Sequence, residues 1–367
     1  MKKITILVDQ FYEHGGIEKL VAIKANYWAT NFEYDLTVIS TENKNNSHIY
    51  DLEPTVKFID LKINYNRLIS YFSFTNLFLL FKNIFVIQKY LLKNKPDIVI
   101  VASHIPITYV LPFLLRRQTK IVKEFHFSKY YNKKSELKNK IFNYVESKYD
   151  KLVVLSTEER SFYKSSNVEV INNPIISDAD VIINAQSKKD LIAATVVRFA
   201  PVKRLELLVG IWEKFSNDNP AWRLLIYGPL DNLYGGEIQN LVKEKKMENC
   251  VTFKGKTNSV LEELAKSRVV LMSSEQECFP MLILEAQSVG VPVISFDCPT
   301  GPRNIINNNH DGILIENDNI DKFVWALNRF SSDEEFQDRL SHGAILNSTK
   351  FELKTIMNEW NDKVLKI

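Results

Sequence analysis

Two hydrophobic patterns alternate along the chain. Short, continuously apolar runs occur at ITILV (4–8), DLTVIS (35–40), DIVIVAS (97–103), KIVKEFH (120–126) and KLVVLS (151–156). Between them lie longer stretches with helical spacing, such as IEKLVAIKANYWAT (17–30) and NLFLLFKNIFVIQKYLLKN (76–94). Strands that are apolar on consecutive positions, separated by helices, predict a parallel sheet covered on both faces. After INNPIISDAD the chain turns polar and the alternation then starts again. LIAATVV (191–197), RLLIYG (223–228), NCVTFKG (249–255), RVVLMSS (268–274) and VPVISF (291–296) form the second set of strands, with helices such as RLELLVGIWEKFSND (204–218) between them. The pattern predicts an α/β protein of two Rossmann-like parallel-sheet domains, 1–172 and 191–349, joined by a linker at 173–190. Open parallel sheets bind ligands at the carboxyl ends of their strands, so the two domains are expected to face each other across a cleft. The last helix, within 350–367, is expected to return to the first domain.

Composition narrows this only a little. Apolar residues make up 45% and charged residues 25% of the 367 positions, with a net charge of +3. That describes a globular protein rather than a disordered one. Cys250, Cys278 and Cys298 make no disulfide framework and match no zinc spacing, which fits a reducing compartment. The opening MKKITILVDQ has too short an apolar run for a signal peptide. LISYFSFTNLFLLF (68–81) falls short of the roughly 20 residues that span a bilayer. The expectation is a cytoplasmic protein without a transmembrane helix.

The candidate chemistry lies where apolar runs meet charge. In ECFPMLILE, Glu277 and Glu285 bracket a Phe-Pro and an apolar segment directly after a strand. Pro280 suits the first position of a helix, whose free N–H groups form an anion site. The two carboxylates are then at most ~12 Å apart and occupy separate stations along one ligand. A nucleotide sugar, with hydroxyls at both ends of a diphosphate, fits that arrangement. A buried amphipathic helix with a solvent-facing Glu285 fits the spacing as well. In VVRFAPVKRLELL, Arg198, Lys203 and Arg204 follow another strand and could hold a diphosphate and neutralise a leaving phosphate. In EHGGIEKLV, Gly15 and Gly16 allow backbone to approach a ligand, although no dinucleotide fingerprint is present. His126 ends a strand of the first domain, where a structural role is the common one. Asp178 and Asp180 form a D-x-D triplet in the linker, read as chance.

Together these segments resemble the GT4 family of retaining glycosyltransferases, whose fold is of the GT-B type. GGIEKL is similar to that family's glycine loop, Arg198 and Lys203 to its R-x4-K phosphate-binding pair, and Glu277 with Glu285 to its E-x7-E signature. The resemblance implies that Glu277 faces the donor sugar and Glu285 holds the nucleotide ribose. It implies that Phe279, Pro280, Met281 and Leu282 present backbone N–H groups to the sugar and diphosphate, and that His126 lies near the transferred sugar. Two departures are visible: Lys203 is followed by Arg204 where many relatives have glycine, and Cys278 stands where a glycine often follows the first glutamate. The wording ECFPM and DCPTGP is similar to members that build bacterial surface polysaccharides, including capsule and lipopolysaccharide, from UDP-sugars. The implied reaction moves a hexose or N-acetylhexosamine to a saccharide or polyprenyl-diphosphate-linked acceptor with an α-linkage. No cofactor and no metal are expected, the UDP-sugar being a substrate.

Charge bears on the acceptor side. Between Arg116 and Lys151 there are eleven Lys/Arg and four Asp/Glu, with Phe125, Phe127, Tyr130, Tyr131, Phe142 and Tyr144 interleaved. Such a surface, with the aromatic stretch 68–85, suits peripheral contact with the anionic inner face of a cell membrane. A solvated basic face over core aromatics answers the same composition. No nucleic-acid motif accompanies the basic segment, so nucleic acid is not expected as a partner. Two other functions share this fold: a nucleotide-sugar epimerase and a non-catalytic nucleotide-sugar-binding subunit.

Overall fold

The computed structural model describes residues 1–13, 15–44, 46–71, 73–114, 118–131, 136–176 and 190–366. The chain divides into two units: Met1–Asn172 with Ile356–Ile367, and Asn173–Thr355. The expected linker lies mostly outside the described residues, as do Asp178 and Asp180.

The N-terminal unit starts with β1 (Lys3–Val8), α1 (Gly16–Asn31), β2 (Asp35–Ser40), β3 (Lys57–Asp60) and α2 (Phe74–Asn94). It continues with β4 (Ile98–Val101), α3 (Ile107–Leu114), β5 (Lys120–Glu124), α4 (Glu136–Glu146), β6 (Lys151–Val154), α5 (Thr157–Arg160) and β7 (Val168–Val170). The strands make one parallel sheet in the order β3-β2-β1-β4-β5-β6-β7. In β4 all four residues, Ile98 to Val101, are buried, as a sheet covered on both faces requires. Ser73 caps α2 by accepting from the amide of Asn76, and Lys95 closes the helix in the left-handed region at φ 47°, satisfying end groups that would otherwise lack partners.

The last residues belong to this unit. Helical backbone from Leu353 to Trp360 widens into a single π turn at Asn361–Leu365, so the stretch expected as one regular helix changes its pitch. Trp360 is 2% exposed and packs 5.5 Å, centroid to centroid, from the buried Trp28 of α1. The Nζ of Lys24 lies 4.7 Å over the Trp360 ring, and Tyr34 donates to Asn361 Oδ1 at 2.7 Å.

The C-terminal unit runs β8 (Ile192–Val196), α6 (Leu205–Asp218), β9 (Arg223–Tyr227), α7 (Leu233–Glu244), β10 (Val251–Gly255), α8 (Val260–Ala265), β11 (Val269–Met272) and α9 (Met281–Ser288). Then come β12 (Val293–Phe296), β13 (Gly312–Ile315), α10 (Ile320–Ser332), α11 (Glu334–Ser348) and the start of α12 (Leu353–Trp360), which from Ile356 onwards is counted with the first unit. Its sheet is parallel throughout, in the order β10-β9-β8-β11-β12-β13. Trp212, Phe215, Leu224, Ile226, Phe296 and Phe323 lie in one buried cluster beneath it.

Three strands carry too little pattern to be anticipated. β3 and β7 are short and half-buried, and β13 begins with a glycine. Several expected strands end earlier than their apolar runs: Ser103, His126, Ser156 and Gly228 lie beyond the ladders, in the loops where ligand-facing residues collect.

Replacing Trp360 with Ala removes a fully buried ring and its packing on Trp28. We expect a loss of about 3–5 kcal/mol in urea unfolding; a loss under about 1 kcal/mol would contradict this packing.

Candidate functional site

In the C-terminal unit the chain leaves β8 and passes through Arg198 into a 3-10 turn at Pro201–Lys203. Arg204 follows in the left-handed region at φ 51° and leads into α6. The neighbouring strand in the sheet is β11, whose exit loop carries Glu277. Two hydrogen bonds from Ser273 Oγ, to the carbonyls of Lys203 at 2.9 Å and Arg204 at 3.1 Å, staple the loops together. The amide of Glu275 adds a third, to Val202 O at 2.9 Å. With the backbones fixed, Lys203 Nζ meets Glu277 Oε1 at 2.6 Å. Both side chains remain partly exposed, 23% for the lysine and 13% for the glutamate, so the pair is accessible to a ligand.

Glu277 is also held from behind. Thr300 Oγ1 donates to its carbonyl at 3.0 Å. At Gly301 a Cβ would come 2.5 Å from the Glu277 Cβ. The glycine is required here by that close approach, since its φ is −100°. Gly228 does similar duty behind the Arg198 loop: at φ +146° it lets the backbone pass where a Cβ would meet Val197 O at 2.0 Å. Cys298 is fully buried, and burial first, then the Glu277 charge, pushes its thiol up to about 12, so it is not a nucleophile.

α9 begins at Met281, with Pro280 at the capping position rather than the first helical one. Proline has no amide hydrogen, so Pro280 cannot present the N–H expected of it. Met281 and Leu282, in the first turn, have no intrahelical acceptor and do supply such groups. Phe279 is buried against Phe351, centroids 5.7 Å apart, and its carbonyl accepts from Asn173 at 3.3 Å. Glu285 is 8% exposed on α9, which overturns the solvent-facing alternative. Two residues on, Gln287 donates to Asp311 Oδ1 at 3.1 Å and accepts from Asn347 at 3.0 Å, tying the helix that carries Glu285 to α11. Arg198 is exposed and makes no ion pair among the described residues. Arg204, the departure from glycine, pairs instead with Asp318.

The N-terminal unit has its own polar cluster at the carboxyl ends of β1, β4 and β5. Asp9 accepts from Ser103 Oγ and, at 3.2 Å, from the amide of His104. Lys123 is buried and donates to the carbonyls of Ser103 and of Val101, the latter at 3.3 Å; burial, opposed by Asp9 and Glu124, lowers its ammonium to about 8. Glu124 is ion-paired with the equally buried Lys24 of α1. Burial alone would raise the Glu124 carboxyl, but Lys24 and His126 outweigh it and hold it well below the usual carboxylate range. His126, two residues beyond β5, places Nε2 3.5 Å from Glu124 Oε1, near enough for attraction but without hydrogen-bond alignment. The His104 ring lies 6.5 Å from the His126 ring and 4.8 Å from that of the exposed Phe127. Burial lowers the pKa of both imidazoles, and the Nε2 of each is buried without a hydrogen-bond partner among the described residues. Gly15 leaves room for the Glu18 carboxylate, which a Cβ would meet at 2.1 Å, whereas a Cβ at Gly16 would meet nothing within 4 Å.

Asp9, His104 and Lys123 were not anticipated. Each follows or ends an apolar run, as His126 does, and that position was the available signal. Of the basic segment, Arg116, Arg117, Lys133 and Lys134 lie outside the described residues.

A polar loop cluster lies at the carboxyl edge of each parallel sheet, and the C-terminal one brings R-x4-K beside E-x7-E, an arrangement that points to a glycosyltransferase. The comparisons agree: residues 178–346 match the profile of the family described as glycosyl transferases group 1. The matched stretch is a little under half of the chain, and the fold of the whole is GT-B. It is 26% identical to the amylovoran biosynthesis glycosyltransferase AmsD of Erwinia amylovora over 99% of each chain. It is 30% identical to an exopolysaccharide phosphotransferase of Streptomyces coelicolor over 48% of this chain, spanning 19% of that protein. Among solved structures, a variant of S. aureus TarM in complex with fondaparinux, alpha-GlcNAc-glycerol and UDP superposes with a TM-score of 0.80 at 17% identity, covering 99% of each chain.

The buried imidazoles make stability depend on pH. Their folded pKa values lie below the ordinary ~6.5, so below that pH the unfolded chain binds more protons and stability falls. Glu124, depressed in the folded state, adds no slope until the pH drops below about 4.3. We expect Tm to fall from pH 7 to pH 5, with a contribution of up to ~1.4 kcal/mol per pH unit from each histidine. His104→Asn and His126→Asn should each flatten the profile; unchanged slopes in both would contradict the assignment.

Proposed function

We propose that the chain transfers a hexose or N-acetylhexosamine from a UDP-sugar to a saccharide or a polyprenyl-diphosphate-linked saccharide, with retention, in the assembly of a bacterial surface glycan. The observation that carries this reading is the 2.6 Å contact between Lys203 and Glu277 on loops stapled at the carboxyl edge of the sheet. A cation for the diphosphate and a carboxylate for the sugar hydroxyls are thereby held side by side before any donor arrives. AmsD, as its name states, serves amylovoran biosynthesis, and the TarM variant was solved with UDP; both lend the reading support.

In the proposed reaction the acceptor hydroxyl attacks C1 on the face from which UDP departs. The bond from C1 to the phosphate oxygen breaks, the bond from C1 to the acceptor oxygen forms, and the hydroxyl proton passes to the β-phosphate. Lys203, Arg198 and the amides of Phe279, Met281 and Leu282 stabilise the charge developing on the phosphate, which fixed donors do without reorganisation. Glu277 orients the donor sugar, Glu285 holds the ribose, and His126 lies against the transferred sugar. The open space beside Gly16 admits ligand close to the backbone at the start of α1. Because protein cations carry the phosphate charge, no metal is needed.

With UDP-hexose and UDP-N-acetylhexosamine donors and lipid-linked oligosaccharide acceptors, we expect an α-linked product by the anomeric proton coupling in NMR, formed equally in EDTA. Glu277→Gln should lower kcat about a hundredfold. A β-linked product, an epimerised donor formed without acceptor, or no UDP release with any acceptor would each overturn the proposal.

A further inference from the structure

Helix α2 is apolar on its outer side as well as towards the core, unlike an ordinary surface helix. Its inner side carries Asn76 and Asn83, both fully buried, next to Ile87. Asn76 donates to the carbonyls of Asn66 at 2.8 Å and Ser70 at 3.0 Å, and Asn83 donates to Tyr65 Oη at 3.2 Å. Its outer side carries Phe74, Phe78, Phe81 and Phe85, exposed by 92%, 70%, 69% and 68%. At about 100° per residue the four rings fall within an arc of ~60°, with the asparagines on the opposite side. Leu92, 46% exposed, continues the line. The helix contains no Asp or Glu, and its three lysines, Lys82, Lys89 and Lys93, run along one flank of the phenylalanine stripe.

The neighbouring helices extend this face. α3 packs beside α2, and α4 beside α3, all three covering the same side of the sheet through one core cluster. Phe113 of α3 and Tyr144 of α4 are stacked at 6.2 Å and are 53% and 57% exposed. Lys148 holds its Nζ 4.6 Å over the Tyr144 ring.

A contiguous apolar stripe of this kind is not what a water-facing helix displays. Phenylalanines on a line with lysines on the flank are the surface of a helix that lies in a membrane interface. We propose that α2, with the exposed edge of α3 and α4, docks on an anionic bilayer. The phenylalanine rings enter the headgroup–acyl boundary, and the lysine stems extend along the apolar surface to place their ammonium groups among anionic headgroups. Charge decides for lipid over a second copy of the chain. An antiparallel two-fold contact through the same patch would set the lysine flanks against each other, and in any orientation α2 offers no carboxylate to answer the partner's lysines. The helix lies on the bilayer rather than through it, since no described helix is long and apolar enough to cross one. This docking rests on the surface alone and holds whether or not the proposed transfer reaction is correct.

The test is vesicle co-sedimentation of the full chain with phosphatidylcholine alone and with phosphatidylcholine containing phosphatidylglycerol. We expect association to rise about tenfold or more with phosphatidylglycerol and to weaken at high salt. Combined Phe78→Ser, Phe81→Ser and Phe85→Ser should reduce it at least ~tenfold, as should combined Lys82→Glu, Lys89→Glu and Lys93→Glu. All six positions are outward-facing, so the thermal unfolding of both variants should match the parent. Undiminished sedimentation of either variant, or no sedimentation of the parent on anionic vesicles, overturns the proposal. So does a parent dimer, measured by light scattering, that the serine variant dissociates without any vesicle binding.

Discussion

The site in the C-terminal unit depends on how a parallel sheet hands its loops to one edge. β8 and β11 are neighbours, so the loops that leave them are adjacent although Lys203 and Glu277 are 74 positions apart in the chain. Ser273 and the Glu275 amide lock those loops together at the backbone. Only then does the side-chain pair form, and Gly301 can approach Glu277 because it has no Cβ. Lys203 and Glu277 are thus placed by hydrogen bonds to backbone carbonyls and by close packing. The ion pair itself, partly exposed, contributes little to stability.

The N-terminal unit uses charge differently. Lys24, Lys123 and Glu124 are buried in a cluster whose members answer one another. Burying ions is expensive, and a paired set is retained because losing one member strands the others. Glu124 lies between Lys24 and His126, so the same carboxylate that binds α1 to the sheet also sets the electrostatic surroundings of the histidine.

Much of this was legible in the residues. Continuous apolar runs marked ten of the thirteen described strands, because a doubly covered strand must be apolar on both faces. The E-x7-E and R-x4-K spacings singled out the two segments that the fold brings together at Lys203 and Glu277, because both motifs are local in sequence. What escaped were features that exist only after folding: the left-handed Arg204 held by Asp318, the clearance at Gly301, and the Asp9–Ser103–His104 contacts between separate strand ends. Sequence placed the membrane-facing character chiefly in the basic segment 116–151. The proposed docking surface centres instead on α2, where apolar periodicity was visible but the burial of its asparagines, and hence which side faces out, was not.

The central claim is that the turn carrying Lys203 and the helix carrying Glu285 hold the two ends of one nucleotide diphosphate. Calorimetric titration of UDP into the full chain tests it most directly. The account predicts a single site, insensitive to EDTA, weakened by Lys203→Ala through loss of a charge-assisted bond worth roughly 1.5–3 kcal/mol, and weakened comparably by Glu285→Ala. UDP binding that neither substitution disturbs would contradict it.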